Sequence, residues 1–332
     1  MSQEVSVSLW CEEAGDAHNP VQVQEQVQEQ VQEQVQEQVQ ERCEVPAAWD
    51  PSVVGQRAVT RLLQLERRYL PSALYVRLIQ GAPQSRDELV KWAMEVCSDV
   101  GCEEQVFPLS VSLLDRFLSL TLSVPAAPVC LVASCVLVAS KLTECETLPV
   151  DTLCAAAEYS FSSHSLREME RVLVATLRWD LASVTPQDFL PHFLSAAVTS
   201  WRRGGSDLAS TARRHADTLA ALCVCDSRFL GAPPSLLAAG ALCCALKGLR
   251  APQNLENLEN LENLENLELS TERLAHLCQT DPAVLQYFSE MIELVLRERL
   301  SGGLQSAPSQ KDEELTEEPR PGTPTDMTEI DF

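Results

Sequence analysis

Residues Val129-Cys-Leu-Val-Ala-Ser-Cys-Val-Leu-Val-Ala-Ser140 form an almost unbroken apolar run that ends on Lys141. A helix apolar all round has no face for water, so this one must lie at the centre of a domain, wrapped by other elements. A single cation at its end marks where the helix reaches the surface. Glu170, in Leu166-Arg-Glu-Met-Glu-Arg-Val-Leu-Val-Ala-Thr-Leu177, sits near the start of another amphipathic stretch. A lysine offers three donors and a glutamate offers acceptors. Side by side on an apolar surface, the two can grip the exposed backbone of a partner chain, which is a binding device without catalytic chemistry.

The wrapping elements read as helices. Aromatic residues make up 5% of the chain, 45% is hydrophobic, and Leu, Ala and Val dominate, whereas β-rich domains favour aromatic and β-branched residues. Gln56–Leu70 is a first helix, stopped by Pro71. Ser85-Arg-Asp-Glu88 reads as a capping box that opens the next, through Trp92 to Cys97. Val106–Leu120, the central helix, a short helix near 150–157 and one capped by Ser165 and Glu168 complete a first set. The pattern restarts at Thr185-Pro-Gln-Asp188, with Pro at the first helical position. Asp207–Cys225, Ser235–Gly248, Ser270–Gln279 and Asp281–Leu300 follow. The Asn-Leu-Glu repeat over 254–268 puts leucine at every third residue, which fits no stable seam, and reads as a surface loop expansion. The fold class is therefore all-α: two tandem sets of about five helices.

The net charge of −23 is concentrated in three stretches. Residues 1–44, 256–268 and 303–332 carry −9, −5 and −6, so the rest of the chain, at about −3, is close to neutral. Acidic tails repel phosphate backbones, which argues against direct nucleic-acid binding. The thirteen cysteines are mostly embedded in apolar stretches, as in Leu242-Cys-Cys-Ala-Leu246, and read as reduced, small apolar residues. No clustered Cys or His ligands suggest a metal, and no cofactor motif is evident. The longest apolar run, of about a dozen residues, is too short to span a bilayer. No basic leader opens the chain, so an intracellular, soluble protein is expected. Val23–Gln40 repeats Val-Gln-Glu-Gln with period four, which drifts around a helix and forms no heptad seam; it is either a frayed helix or disordered. The tail from Ser301, rich in Gly, Pro, Ser, Glu and Asp, is expected to be disordered.

Several ordered segments resemble a cyclin, and specifically a D-type cyclin: Trp92-Ala-Met-Glu-Val-Cys97, Cys102-Glu-Glu-Gln-Val-Phe-Pro-Leu109, Leu113-Leu-Asp-Arg-Phe-Leu-Ser119, Val138-Ala-Ser-Lys-Leu142, Leu177-Arg-Trp-Asp-Leu181, Thr185–Leu194 and Phe229–Gly240. The resemblance spans roughly residues 55–300. It implies two five-helix cyclin folds, over 53–182 and 183–300, between an arm at 1–52 and a tail at 301–332. It implies activation of a cyclin-dependent kinase of the kinase 4 and kinase 6 type, with Lys141 and Glu170 gripping the kinase near its mobile C-helix and Arg86 pairing with Asp115 inside the first fold. Leu9-Trp-Cys-Glu-Glu13 fits the Leu-x-Cys-x-Glu motif that binds the retinoblastoma-protein pocket: an extended strand buries Leu9 and Cys11 while Glu13 meets a basic rim. Gly322-Thr-Pro-Thr-Asp326 resembles the family's phospho-degron, with Thr323 before Pro324 as proline-directed kinases require and a ubiquitin ligase as reader. The family implies shuttling between nucleus and cytoplasm.

The chain departs from the family in its docking patch. Ser85 and Glu88 stand where the family has apolar residues, while Leu89 and Trp92 are kept, so weakened docking of Arg-x-Leu substrates and kinase-inhibitor proteins is expected. Cys130 and Val132 replace the family's usual Leu and Gly in the central helix. The competing reading is a cyclin-fold scaffold or transcription-regulating adaptor; such proteins carry basic surfaces, which the near-neutral body lacks. An enzyme is disfavoured, because His18, His164, His192, His215 and His276 are scattered and no phosphate loop or nucleophile motif is present.

Overall fold

The computed structural model describes residues 56–198, 205–249 and 259–303. Those residues form twelve α-helices and one short 3-10 turn, with no strand among them. The helices are α1 (Gln56–Tyr69), α2 (Ala73–Gly81), α3 (Gln84–Val100), α4 (Val106–Thr121), α5 (Pro128–Thr143), α6 (Val150–Ala156), α7 (Ser163–Thr176), α8 (Pro186–Val198), α9 (Gly205–Cys225), α10 (Pro234–Gly248), α11 (Glu259–Leu277) and α12 (Pro282–Gly303). The five helices α3–α7 surround a first core, and α8–α12 a second.

At the centre of the first core lies α5, with every residue from Cys130 to Ser140 buried. It packs on α4, α3 and α7. The counterpart in the second core is α10, buried from Leu237 to Leu246, which packs on α8, α9 and α12. Although α1 lies within the stretch 53–182 expected to form the first fold, its apolar face, with Val59 and Leu63, belongs to the second core. Its Glu66 is buried and accepts bonds from the Ser235 amide at 3.0 Å and the Ser235 hydroxyl at 2.9 Å, so α1 caps the first turn of α10. Burial pushes the Glu66 carboxyl up, and the Ser235 bonds pull it back in part. The two cores meet along α9, which gives Ala221 and Cys225 to the first and Leu219 and Leu222 to the second. No helix among the described residues is long and apolar enough to cross a membrane.

Four local expectations are corrected. A helix, α2, lies between Pro71 and Ser85, where the sequence reading places no element; Ser72 caps it, accepting from the Tyr75 amide at 3.3 Å. The α3 helix opens at Gln84 after Pro83 with no side-chain cap bond, so Ser85 and Glu88 lie in its first turns and do not form a capping box. The cap of α7 is Ser162, three residues before Ser165; its hydroxyl accepts from the Ser165 amide at 3.1 Å. The second half of the Asn-Leu-Glu repeat is helical from Glu259, as the leading part of α11. Two other caps match the sequence reading. The Thr185 amide and hydroxyl both donate to Asp188 Oδ2, at 2.7 and 3.0 Å, and Asp281 Oδ1 accepts from the Ala283 amide at 2.8 Å.

Candidate functional site

The all-apolar course of α5 ends at Lys141 and Leu142, the first exposed residues after eleven buried ones. A cation in the last turn is favoured by the helix dipole. Close packing of α7 against α5 brings Glu170 opposite, and Lys141 Nζ donates to Glu170 Oε1 at 2.5 Å. The lysine side chain is 43% exposed and the glutamate 20%. Both therefore keep polar capacity for another chain: two further Nζ donors, and the second carboxylate oxygen.

Around this pair lies an open, mostly apolar groove of about 310 Å³, lined by Val138, Leu142, Val174, Ala175, Trp179 and Leu181, with Arg171 at the edge. Trp179 is 80% exposed and Leu142 52%. The backbone presents Trp179 by leaving α7 through two successive left-handed residues, Arg178 (φ 53) and Trp179 (φ 62), with the Trp179 amide bonded back to Val174 O at 3.0 Å. An indole 80% exposed beside a partly exposed ion pair makes an apolar surface patch of the kind that marks interaction sites. Nothing in the sequence pattern assigns a role to Trp179, three residues past the last residue of α7, because its exposure follows from this left-handed turn.

Arg86 and Asp115 meet inside the first fold. Arg86 Nε donates to Asp115 Oδ1 at 2.9 Å and Nη2 to Oδ2 at 2.8 Å, a bidentate pair with both residues buried. Tyr75, from the helix that the sequence did not reveal, donates its hydroxyl to Asp115 Oδ1 at 2.8 Å. Burial first, and then the Asp115 charge, push that phenol's pKa up, so it stays a donor. Arg86 Nη2 also donates to Val224 O at 3.1 Å, at the end of α9 in the second fold, and Asp87 Oδ2 accepts from the Ser227 hydroxyl at 3.1 Å.

On the same helix, Ser85 and Glu88 are exposed, while Leu89 and Trp92 are half-buried against the first core. Arg86 points inward between them. Leu9, Cys11, Glu13, Thr323 and Pro324 lie outside the described residues.

A cyclin N-terminal domain matches residues 57–182, and a cyclin C-terminal domain matches 184–309. The chain belongs to the cyclin family; as a cyclin it is a regulatory subunit of a cyclin-dependent kinase and not an enzyme. Its relatives place it with the D-type cyclins. It is 35% identical to G1/S-specific cyclin-D1 of Mus musculus over 291 residues, covering 85% of this chain and 94% of the relative. It is 36% identical to G1/S-specific cyclin-D3 of Homo sapiens over 289 residues, with the same two coverages. A viral cyclin from herpesvirus saimiri superposes with a TM-score of 0.52 at 22% identity, over 65% of this chain and 85% of that one, which shows the shared fold.

Proposed function

We propose that this chain binds and activates a cyclin-dependent kinase of the kinase 4 and kinase 6 type, promoting G1/S progression through phosphorylation of retinoblastoma-family proteins. The observation that carries the reading is the Lys141–Glu170 pair, 2.5 Å apart at the edge of an open groove floored by Val138 and Val174 and flanked by Leu142 and Trp179. Such a groove accepts a helix. The apolar floor buries the helix's apolar face, and the ion pair offers donors and an acceptor to the unsatisfied backbone groups at a helix end. Holding the kinase C-helix inward lets the kinase's own Lys–Glu ion pair and metal-binding loop align. The cyclin contributes no reacting group; its binding free energy shifts the kinase population towards the active state.

The remaining parts of the proposal follow the same family resemblance. Leu9, Cys11 and Glu13 recruit the retinoblastoma-family substrate. Phosphorylated Thr323, followed by Pro324, is read by a ubiquitin ligase. Kinase-inhibitor proteins that use Arg-x-Leu segments dock weakly, and the protein shuttles between nucleus and cytoplasm.

The test is co-purification with cyclin-dependent kinases 4 and 6, then phosphorylation of a retinoblastoma-protein fragment, comparing wild type with Lys141→Ala/Glu170→Ala. Residues that anchor an interface cost about 2 kcal/mol or more when truncated, so the double variant should lose at least about 30-fold in affinity and the activation with it. Wild type that binds neither kinase would sink the reading and favour an adaptor role.

A further inference from the structure

In a chain of net charge −23, α1 is basic: Arg57, Arg61, Arg67 and Arg68 stand against the single acid Glu66, which is buried. Positions 57, 61, 64 and 68 share one helix face, opposite the Val59–Leu63–Glu66 face that enters the second core. This outward face runs about 16 Å. Arg68 is paired with Asp180 at 2.6 Å, but Arg57 and Arg61 have no carboxylate partner among the described residues; Arg61 meets only Gln64, at 3.5 Å. Two exposed guanidinium groups without counter-charges, on a helix fixed to the fold, make a surface for an acidic segment.

The chain supplies one within reach. The acidic run Asp312-Glu-Glu-Leu-Thr-Glu-Glu318 holds five carboxylates in seven residues. It begins nine residues after Gly303, where α12 ends. The helix α12 packs on α10, and Arg228, six residues before α10, donates at 2.8 Å to Glu298, five residues before that end. The first turn of α10 holds Ser235 against Glu66 of α1. Nine residues extend to about 30 Å, nearly twice the length of the arginine face. Tethering keeps the local concentration of the acidic run in the millimolar range, so ion pairs that are individually weak suffice to occupy the face.

We propose that the outward face of α1, through Arg57 and Arg61, is a docking surface for the acidic run Asp312–Glu318 of this chain's own C-terminal tail. Docking holds Thr323, five residues beyond Glu318, close to the second fold and limits its access to modifying and reading proteins. A phosphate on Thr323 adds nearly two charges to the same attraction.

The test is limited digestion of the full-length protein with a glutamate-specific protease, read at Glu317 and Glu318 by mass spectrometry at low salt. Wild type should be cut several-fold more slowly there than Arg57→Glu/Arg61→Glu, and the difference should vanish at high salt, where the pairs are screened. Combining the charge-reversed helix with Asp312→Lys/Glu313→Lys/Glu314→Lys should restore slow cutting at the two remaining sites. Both arginines are exposed, so thermal melting should be unchanged; if reversal does unfold the protein, Arg57→Gln/Arg61→Gln serves instead. Equal cutting rates in wild type and variant overturn the proposal, whether both are fast or both slow. So does a change confined to glutamates of the N-terminal arm, which would assign the face to that segment.

Discussion

At the residue scale, Asp217 on α9 is the least compensated charge in the described structure. It is 3% exposed, and neither carboxylate oxygen has a hydrogen-bond partner. Arg213 Nε lies 3.5 Å away, while the same guanidinium bonds Glu104 Oε2 at 3.1 Å. Burial, and then the Glu104 charge, push the Asp217 carboxyl up to about 7, with Arg213 opposing. The folded protein thus holds this proton more tightly than the unfolded chain. Stability from this group is therefore greatest in mild acid, falls as pH rises from about 4 to about 7, and is fully lost above that. A shift of this size corresponds to roughly 4 kcal/mol as a ceiling. Asp217→Asn removes the charge and keeps the shape. It should stabilise the protein by about 1–3 kcal/mol at pH 8, with the gain shrinking towards zero near pH 4. Urea unfolding at the two pH values checks this; a destabilised variant at pH 8 would mean that the charged carboxylate is satisfied after all.

At the element scale, the informative helix is α3, which faces two ways. Its inner face carries Arg86, Val90, Ala93 and Cys97 into the first core, and its outer face leaves Ser85 and Glu88 in water beside half-buried Leu89 and Trp92. An Arg-x-Leu segment laid across this face finds two apolar residues where the family has four. Losing two such contacts weakens binding by about 1–3 kcal/mol, or roughly 5- to 150-fold. Ser85→Met/Glu88→Ile should recover that affinity for an Arg-x-Leu peptide in a fluorescence-anisotropy titration; ordinary affinity in wild type would refute the expectation. Long helices with a buried stripe were legible in the sequence, as were the Thr185 and Asp281 caps. The nine-residue α2 was not, because Leu74 and Leu78 are apolar but face solvent, which hides the short inward stripe of Tyr75, Val76 and Ile79. The α7 cap is ambiguous in the sequence because Ser162, Ser163 and Ser165 can all cap. Tertiary packing decides, burying Phe161 before the cap and Leu166 after it in the same core. The Asn-Leu-Glu repeat looks like a loop by its period. Once Leu267 and the buried Ser270 anchor α11, however, its good helix formers only have to extend an existing helix. For the site, Lys141 stands out as the polar end of an apolar run and Glu170 is reached through the family resemblance, whereas the exposure of Trp179 depends on a left-handed backbone turn that no pattern encodes.

At the scale of the whole molecule, Arg86 is a buried cation that helps tie the two folds together. Arg86 sits in the first fold, is neutralised by Asp115, and spends a third bond on Val224 O of the second. The neighbouring Asp87–Ser227 bond, at 3.1 Å, runs across the same boundary. The network thus stabilises the first core and joins it to the second, and these two roles separate by mutation. Arg86→Ala leaves Asp115 buried with only the Tyr75 hydroxyl as donor, which should cost about 3–5 kcal/mol. Replacing the whole pair, Arg86→Met/Asp115→Leu, removes the stranded charge and should recover most of that stability, because a buried ion pair and well-packed apolar residues of similar volume are close in free energy. The double variant still leaves Val224 O without its donor. Amide exchange at the C-terminal turn of α9 should therefore remain faster than in wild type even after the melting temperature has recovered. Recovery of both together would confine Arg86 to the first fold, and a loss below about 1 kcal/mol in the single variant would mean that water compensates the buried aspartate.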